Sequence, residues 1–265
     1  MIKFKNVHVK FNPNTVMEVH ALRGVSLVIN EGEFVTVIGA NGAGKSTLLG
    51  ALTGAVPVLE GAIEVDGVNI TKWSEPRRAG LVARVFQDPM VGTCADLSIE
   101  ENLALAYRRG QQRTLAKALN KEIREELRHY VAMLNMGLEN RLGDPIGLLS
   151  GGQRQTLSLL MAVLSPMKIL VLDEHTAALD PKTADFVIEL TEKIVRERHL
   201  TVMMVTHSMH QALHVGSRTI MLYQGRIVLD LCPDERKNMT IPGLLDLFKQ
   251  KSGAEVDDDA LVLER

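Results

Sequence analysis

Cysteine is scarce in this 265-residue chain: Cys94 and Cys232 are the only two. Two thiols so far apart supply neither a disulfide scaffold nor a four-ligand zinc site, which points to a reducing compartment. Aromatic residues are few as well, at 4% with a single Trp, against 21 Gly. That balance suits an α/β protein with tight turns better than an all-β sandwich. No apolar stretch approaches the roughly 18 residues that span a bilayer. The first residues, Met1 to Phe11, alternate apolar and polar and lack the apolar run of a signal peptide. An excess of one charge is also missing. Lys+Arg number 30 and Asp+Glu 32, a formal net charge of −2, which argues against a protein that coats nucleic acid. The expectation is a soluble, cytoplasmic protein whose membrane role, if any, comes through a partner. What remains, 46% hydrophobic and 23% charged residues, is ordinary globular composition, long enough for a sizeable core.

The pattern of elements is α/β. Strands are expected at Ile2–Phe11, about Val25–Ile29 and Phe34–Ile38, the last a buried run that ends in a Gly-rich loop. A helix follows over about Lys45–Leu52, and Ala62–Val65, Asp66-Gly67 and Val68–Ile70 make a hairpin. The middle turns helical. Ser98 and Glu101 form a capping box that opens a helix to about Arg108. A second helix is expected over Thr114–Leu134, with Leu119, Ile123, Leu127, Tyr130, Val131 and Leu134 at helical spacing. A third starts near Gly152 and stops at Ser165-Pro166. Alternation then resumes with strand Ile169–Leu172, helix Pro181–Arg198, strand Thr201–Val205, a short helix Met209–Val215, and strands Thr219–Tyr223 and Ile227–Leu231. Such alternation implies a largely parallel core sheet. Residues 1–250 thus read as one domain, with a core over 1–89 and 166–250 and a helical insertion over about 90–165. Residues 251–265, with Asp257-Asp258-Asp259, read as a mobile acidic tail.

Three motifs carry chemistry. Gly39-Ala-Asn-Gly-Ala-Gly-Lys-Ser46 fits the phosphate-loop pattern G-x-x-x-x-G-K-[ST] between an expected strand and helix. Its glycines let backbone N–H groups converge on phosphate oxygens, and the helix N-terminus favours anions. Lys45 can reach the outer phosphates and Ser46 can ligate Mg²⁺. Ile169-Leu-Val-Leu-Asp173-Glu174 is an apolar strand ending in two acids, where α/β sheets bind ligands. Asp173 suits a Mg²⁺ shell and Glu174 a general base for water. Leu149-Ser-Gly-Gly-Gln153 places Ser150 as the N-cap of a helix with open backbone N–H groups. Taken alone, those residues fit a capped helix and a second anion site equally.

Together these residues resemble the ATP-binding cassette (ABC) ATPases. Gly39–Ser46 resembles the family's Walker A, Asp173-Glu174 its Walker B and catalytic glutamate, and Leu149–Gln153 its signature sequence. Gln87 in Val85-Phe-Gln-Asp-Pro89 resembles the Q-loop, Ala178-Leu179-Asp180 the D-loop, and His207 the switch histidine. Phe11 stands where the family often stacks an aromatic on adenine. His175 departs from the proline many members carry after the catalytic glutamate, and is read as structural.

The resemblance implies a P-loop NTPase fold: a RecA-like core with a mostly parallel sheet, an N-terminal antiparallel β subdomain and a helical subdomain. It implies ATP and Mg²⁺ as cofactors. Gly39, Asn41, Gly42, Ala43, Gly44, Lys45, Ser46 and Thr47 would hold the nucleotide, with Phe11 on adenine. Ser46, Gln87 and Asp173 would serve the metal, and Glu174, Gln87 and His207 the hydrolysis. Ser150, Gly151, Gly152, Gln153 and Asp180 would complete the site of a second copy in an ATP-sandwich homodimer. Val35–Thr47, Val85–Met90 and Asp173–Pro181 further resemble bacterial importer ATPases, some assigned to tryptophan or tyrosine uptake. Such subunits work with integral membrane permeases on the inner face of the membrane, and indirectly with a solute-binding protein. An exporter ATPase, or a soluble ABC protein acting on nucleic acid or the ribosome, stays open as an alternative. The single phosphate loop, the missing coiled-coil insertion and the slightly acidic balance weigh against nucleic acid.

Overall fold

The computed structural model describes residues 1–111 and 117–252. In chain order the elements are β1 (Ile2–Phe11), β2 (Val19–Ile29), β3 (Phe34–Ile38), α1 (Lys45–Thr53), β4 (Glu60–Val65), β5 (Val68–Asn69), α2 (Glu75–Arg78), β6 (Val82–Val85), α3 (Ile99–Tyr107), α4 (Lys121–Ala132), α5 (Gly151–Val163), β7 (Ile169–Asp173), α6 (Pro181–Arg198), β8 (Val202–Val205), α7 (Met209–His214), β9 (Arg218–Tyr223), β10 (Arg226–Leu231), α8 (Pro233–Arg236) and α9 (Ile241–Ser252). They fall into two compact units, Met1–Arg78 with Val195–Arg265, and Ala79–Ile194.

In the first unit, β2, β1, β4 and β5 form an antiparallel sheet in that order. β3 runs parallel to β8 on one side and β9 on the other, and β10 closes antiparallel on β9. All five residues of β3 are buried, as expected of a parallel strand covered on both faces. Its one polar member, Thr36, is satisfied by hydrogen bonds to the Ala212 and Arg218 carbonyls. Below α1 the Arg78 guanidinium donates to the carbonyls of Ala51, Leu52, Thr71 and Trp73. It thereby satisfies carbonyls that the end of α1 leaves without helical partners. Leu244 and Phe248 of α9 join Ile38, Met209, Met221, Leu229 and Leu231 in one apolar cluster.

In the second unit β6 and β7 pair in parallel. α3 opens with the Ser98–Glu101 capping box, made in both directions. α4 begins at Lys121 behind the Asn120 cap, so Leu119 of the expected stripe lies before the helix. The part of that expected helix over residues 114–116 lies outside the described residues. So does the acidic tail over 253–265, while Lys251 and Ser252 still belong to α9. Five elements escaped the sequence reading in whole or in part: the first half of β2, α2, β6, α8 and α9.

Candidate functional site

The phosphate loop leaves the buried end of β3 and turns into α1. Gly39 has φ 149° and Gly44 φ 105°. A Cβ at Gly39 would stand 2.3 Å from the Leu222 carbonyl oxygen, and one at Gly44 2.7 Å from that of Ala21. Only glycine fits those close approaches. Gly44 caps α1 without a side-chain acceptor, so no side chain caps the helix start. Asn41, Gly42 and Ser46 are exposed, Thr47 is half-buried, and Ala43 is buried. Lys45 is buried, and its Nζ donates to the carbonyls of Gly39 at 2.8 Å and Ala40 at 3.2 Å. The ammonium therefore rests folded back on its own loop.

Phe11 closes β1 opposite Val19 and is 40% exposed, which leaves a ring face for stacking. His207 sits half-buried in the turn between β8 and α7. Its neighbours fix that turn: the Thr206 hydroxyl donates to Gln211 Oε1 at 2.6 Å, and Ser208 Oγ accepts from the Gln211 N–H. Phe11, the Gly39–Thr47 loop and His207 belong to the first unit. Gln87, Ser150–Gln153, Asp173, Glu174 and Asp180 belong to the second.

Asp173 ends β7 and is nearly buried. Its Oδ2 accepts from Arg84 Nη2 at 2.6 Å. Glu174 follows at φ 47°, a left-handed conformation that costs a non-glycine residue about 1–2 kcal/mol. The turn is closed by Ala177 N–H donating to the Glu174 carbonyl at 3.0 Å. His175 is buried, with Nε2 3.3 Å from Thr191 Oγ1 on α6. That hydroxyl donates to the Val187 carbonyl, so it accepts from a protonated Nε2, and burial of the ring disfavours a second proton on Nδ1.

Burial lowers the His175 pKa from 6.5 to about 4. Between those values the unfolded chain binds a proton that the folded chain refuses. Stability is therefore lost as pH falls from 6.5 towards 4, by about 3 kcal/mol, and is unaffected by this group above 6.5. His175→Gln keeps a donor for Thr191 and has no proton to gain. Urea midpoints at pH 7.5 and 4.5 should differ less in this variant than in the unaltered chain. Equal pH dependence in both would remove His175 from this role.

Gln87 is exposed just beyond β6. Its neighbour Phe86 is held by Gln155 of α5, whose Nε2 donates to the Phe86 carbonyl at 3.2 Å. Ser150 and Gln153 form a reciprocal capping box at the start of α5. Arg154, buried, donates to the carbonyls of Ile146, Gly147 and Leu149 and touches the Met90 sulfur. Gln155 and Arg154 thus tie the start of α5 to the segment after β6. Gly152 packs so close to α6 that a Cβ would meet Thr183 Cγ2 at 2.4 Å, and Gly151 lies within reach of Leu179. Asp180 Oδ1 accepts from the Thr183 N–H at 3.1 Å and caps α6; hydrogen bonding to the Thr183 side chain, and then to its backbone N–H, lowers the Asp180 pKa. Sequence reasoning missed Arg84, Arg154 and Gln155, since their roles are hydrogen bonds to distant or backbone partners.

Among the described residues no three His, Cys, Asp or Glu side chains gather into a metal cage. A hydroxyl, an amide and a carboxylate, from Ser46, Gln87 and Asp173, are hard oxygen donors. Such a set fits Mg²⁺ that arrives with phosphates, not a resident zinc ion.

The ABC transporter family model matches residues 22–177. The chain is 44% identical over 254 residues to the tyrosine transport ATP-binding protein of Clostridioides difficile (strain R20291), covering 94% of this chain and 99% of that one. It is 33% identical over 202 residues to the thiamine import ATP-binding protein ThiQ of Escherichia coli O157:H7, covering 76% and 82%. Among solved structures, an ATP-binding cassette caught as a dimer after hydrolysis with ADP and Pi superposes with a TM-score of 0.76 at 28% identity, over 88% of this chain and 99% of that one. The fold is that of a P-loop NTPase cassette, α/β with a mixed sheet and an antiparallel N-terminal sheet. A phosphate loop built on such a cassette, matched along almost the whole chain, places this protein in the ABC transporter family as an ATP-binding, ATP-hydrolysing subunit.

Proposed function

We propose that the chain powers an importer. Two identical copies drive separate permease subunits, which receive a small solute, an aromatic amino acid of the tyrosine kind, from a solute-binding protein. The observation that carries this reading is the 44% identity, over 94% of the chain, with a tyrosine transport ATP-binding protein. Relatives named for thiamine import and methionine import, at 33% and 32% identity, favour import over export. Among the described residues no helix is long and apolar enough to cross a membrane. In this reading the subunit is held on the cytoplasmic face by the permease.

The roles follow from the chemistry of the groups. The backbone of Gly39 and of Asn41–Thr47 binds phosphate oxygens, and Lys45 turns from its loop carbonyls to the outer phosphates. Phe11 stacks on adenine. Ser46, Gln87 and Asp173 hold Mg²⁺, which neutralises charge on the phosphate oxygens. Glu174 accepts the proton of the attacking water, and His207 donates a hydrogen bond to the γ-phosphate. Ser150, Gly151, Gly152 and Gln153 of a second copy close the site from the other side, beside Asp180.

The test is uptake of labelled tyrosine in cells whose only copy of this subunit carries Glu174→Gln. Tyrosine uptake should fall to background while thiamine and methionine uptake stay unchanged. Undiminished tyrosine uptake would overturn the solute, and loss of efflux instead of uptake would overturn the direction.

A further inference from the structure

Arg84 is the single charge in β6, between buried Ala83 and Val85. Its register partner on β7 is Val171, and the period of two puts Arg84, Val171 and Asp173 on one face of the sheet. The side chains meet there, Nη2 to Oδ2 at 2.6 Å, with only 19% and 11% of each exposed. The guanidinium lies over the Phe86 ring, 4.5 Å from its centroid, and its Nε is buried without a hydrogen-bond partner. A pair this poorly hydrated is screened far less than a surface pair. A divalent cation that approaches Asp173 therefore meets a carboxylate already neutralised by a fixed charge.

We propose that Arg84 is the resting counter-ion of Asp173, a positioning residue that holds the carboxylate when no metal is bound and opposes a divalent cation arriving without nucleotide. Phosphates bring the extra negative charge that lets the cation displace or share this guanidinium. The empty cassette is thereby kept from loading metal alone. Arg84 stands three residues before Gln87 and stacks on Phe86, so its release also acts on the Q-loop segment. The inference rests on the reading of Asp173 as a metal ligand.

The test counts free Mn²⁺ by its paramagnetic resonance signal in solutions of the full chain, with and without ADP. Arg84→Met keeps the length and the contact with Phe86 but removes the charge. Without ADP it should bind Mn²⁺ about tenfold more tightly than the unaltered chain, equivalent to about 1.4 kcal/mol, and the gain should shrink with ADP, whose phosphates already offset the guanidinium. Arg84→Lys, which keeps the charge, should stay within about twofold of the unaltered chain. Unchanged affinity in Arg84→Met overturns the proposal. Weaker affinity overturns it too, since Arg84 would then orient the ligand and not compete with the metal. If a melting curve shows Arg84→Met unfolded, Arg84→Gln carries the same comparison. Asp173→Asn separates the two readings. If it leaves Mn²⁺ affinity unchanged, Asp173 is no ligand and the metal assignment itself fails. If it weakens binding while Arg84→Met gains nothing, only the counter-ion role fails.

Discussion

Glu174→Gln is expected to bind MgATP as the unaltered chain does and to hydrolyse it at least about a hundredfold more slowly, the usual range for losing a general base. The substitution is nearly isosteric. Gln tolerates the left-handed turn no worse than Glu, whose φ is 47°. The anchor on the next residue, His175 to Thr191, is untouched. What disappears is the charge and the proton acceptor. ATP then persists between two copies, so the variant should sediment as a dimer with ATP and as a monomer with ADP. A steady-state rate within threefold of the unaltered chain would remove Glu174 from catalysis.

Lys45→Ala is expected to weaken ATP binding about a hundredfold, the equivalent of one charge-assisted hydrogen bond of about 3 kcal/mol. In the structure Lys45 Nζ donates to the Gly39 and Ala40 carbonyls. Those contacts hold the ammonium inside the loop, where a short rotation aims it at an anion. Alanine leaves the loop backbone, shaped by Gly39 and Gly44, in place. The loss should therefore appear as affinity without a large fall in melting temperature. Unchanged affinity in a calorimetric titration would contradict the phosphate-loop assignment.

The parts of the site written in local backbone chemistry were legible in the sequence. The glycines of the phosphate loop, the Ser150 cap and the Ser98–Glu101 box depend on residues a few positions apart, and each stands where the pattern put it. Parts that depend on distant partners were not. β6 is four residues long and interrupted by Arg84, so it lacks the apolar run that marked β3 and β7. Its charge makes sense only beside Asp173, 89 residues away. α9 was hidden by Pro242-Gly243 in its first turn, residues that read as a break, although Leu244 and Phe248 go on to fill the core. His175 was noticed as a departure from proline. Its buried tether to α6 was beyond reach, because Thr191 carries no signal of its own.

The central claim is that ATP is hydrolysed between two copies, with the phosphate loop of one and the signature helix of the other. It is tested most directly by mixing a chain carrying Lys45→Ala with one carrying Ser150→Arg, and measuring ATP hydrolysis by purified mixed dimers. Each homodimer should be nearly inactive, because every site would have one broken side. In the mixed dimer both lesions fall on a single site. The other site joins the intact loop of the Ser150→Arg chain to the intact signature of the Lys45→Ala chain. The account predicts recovery up to about half the unaltered rate if the sites act independently. No recovery in proven mixed dimers would contradict it.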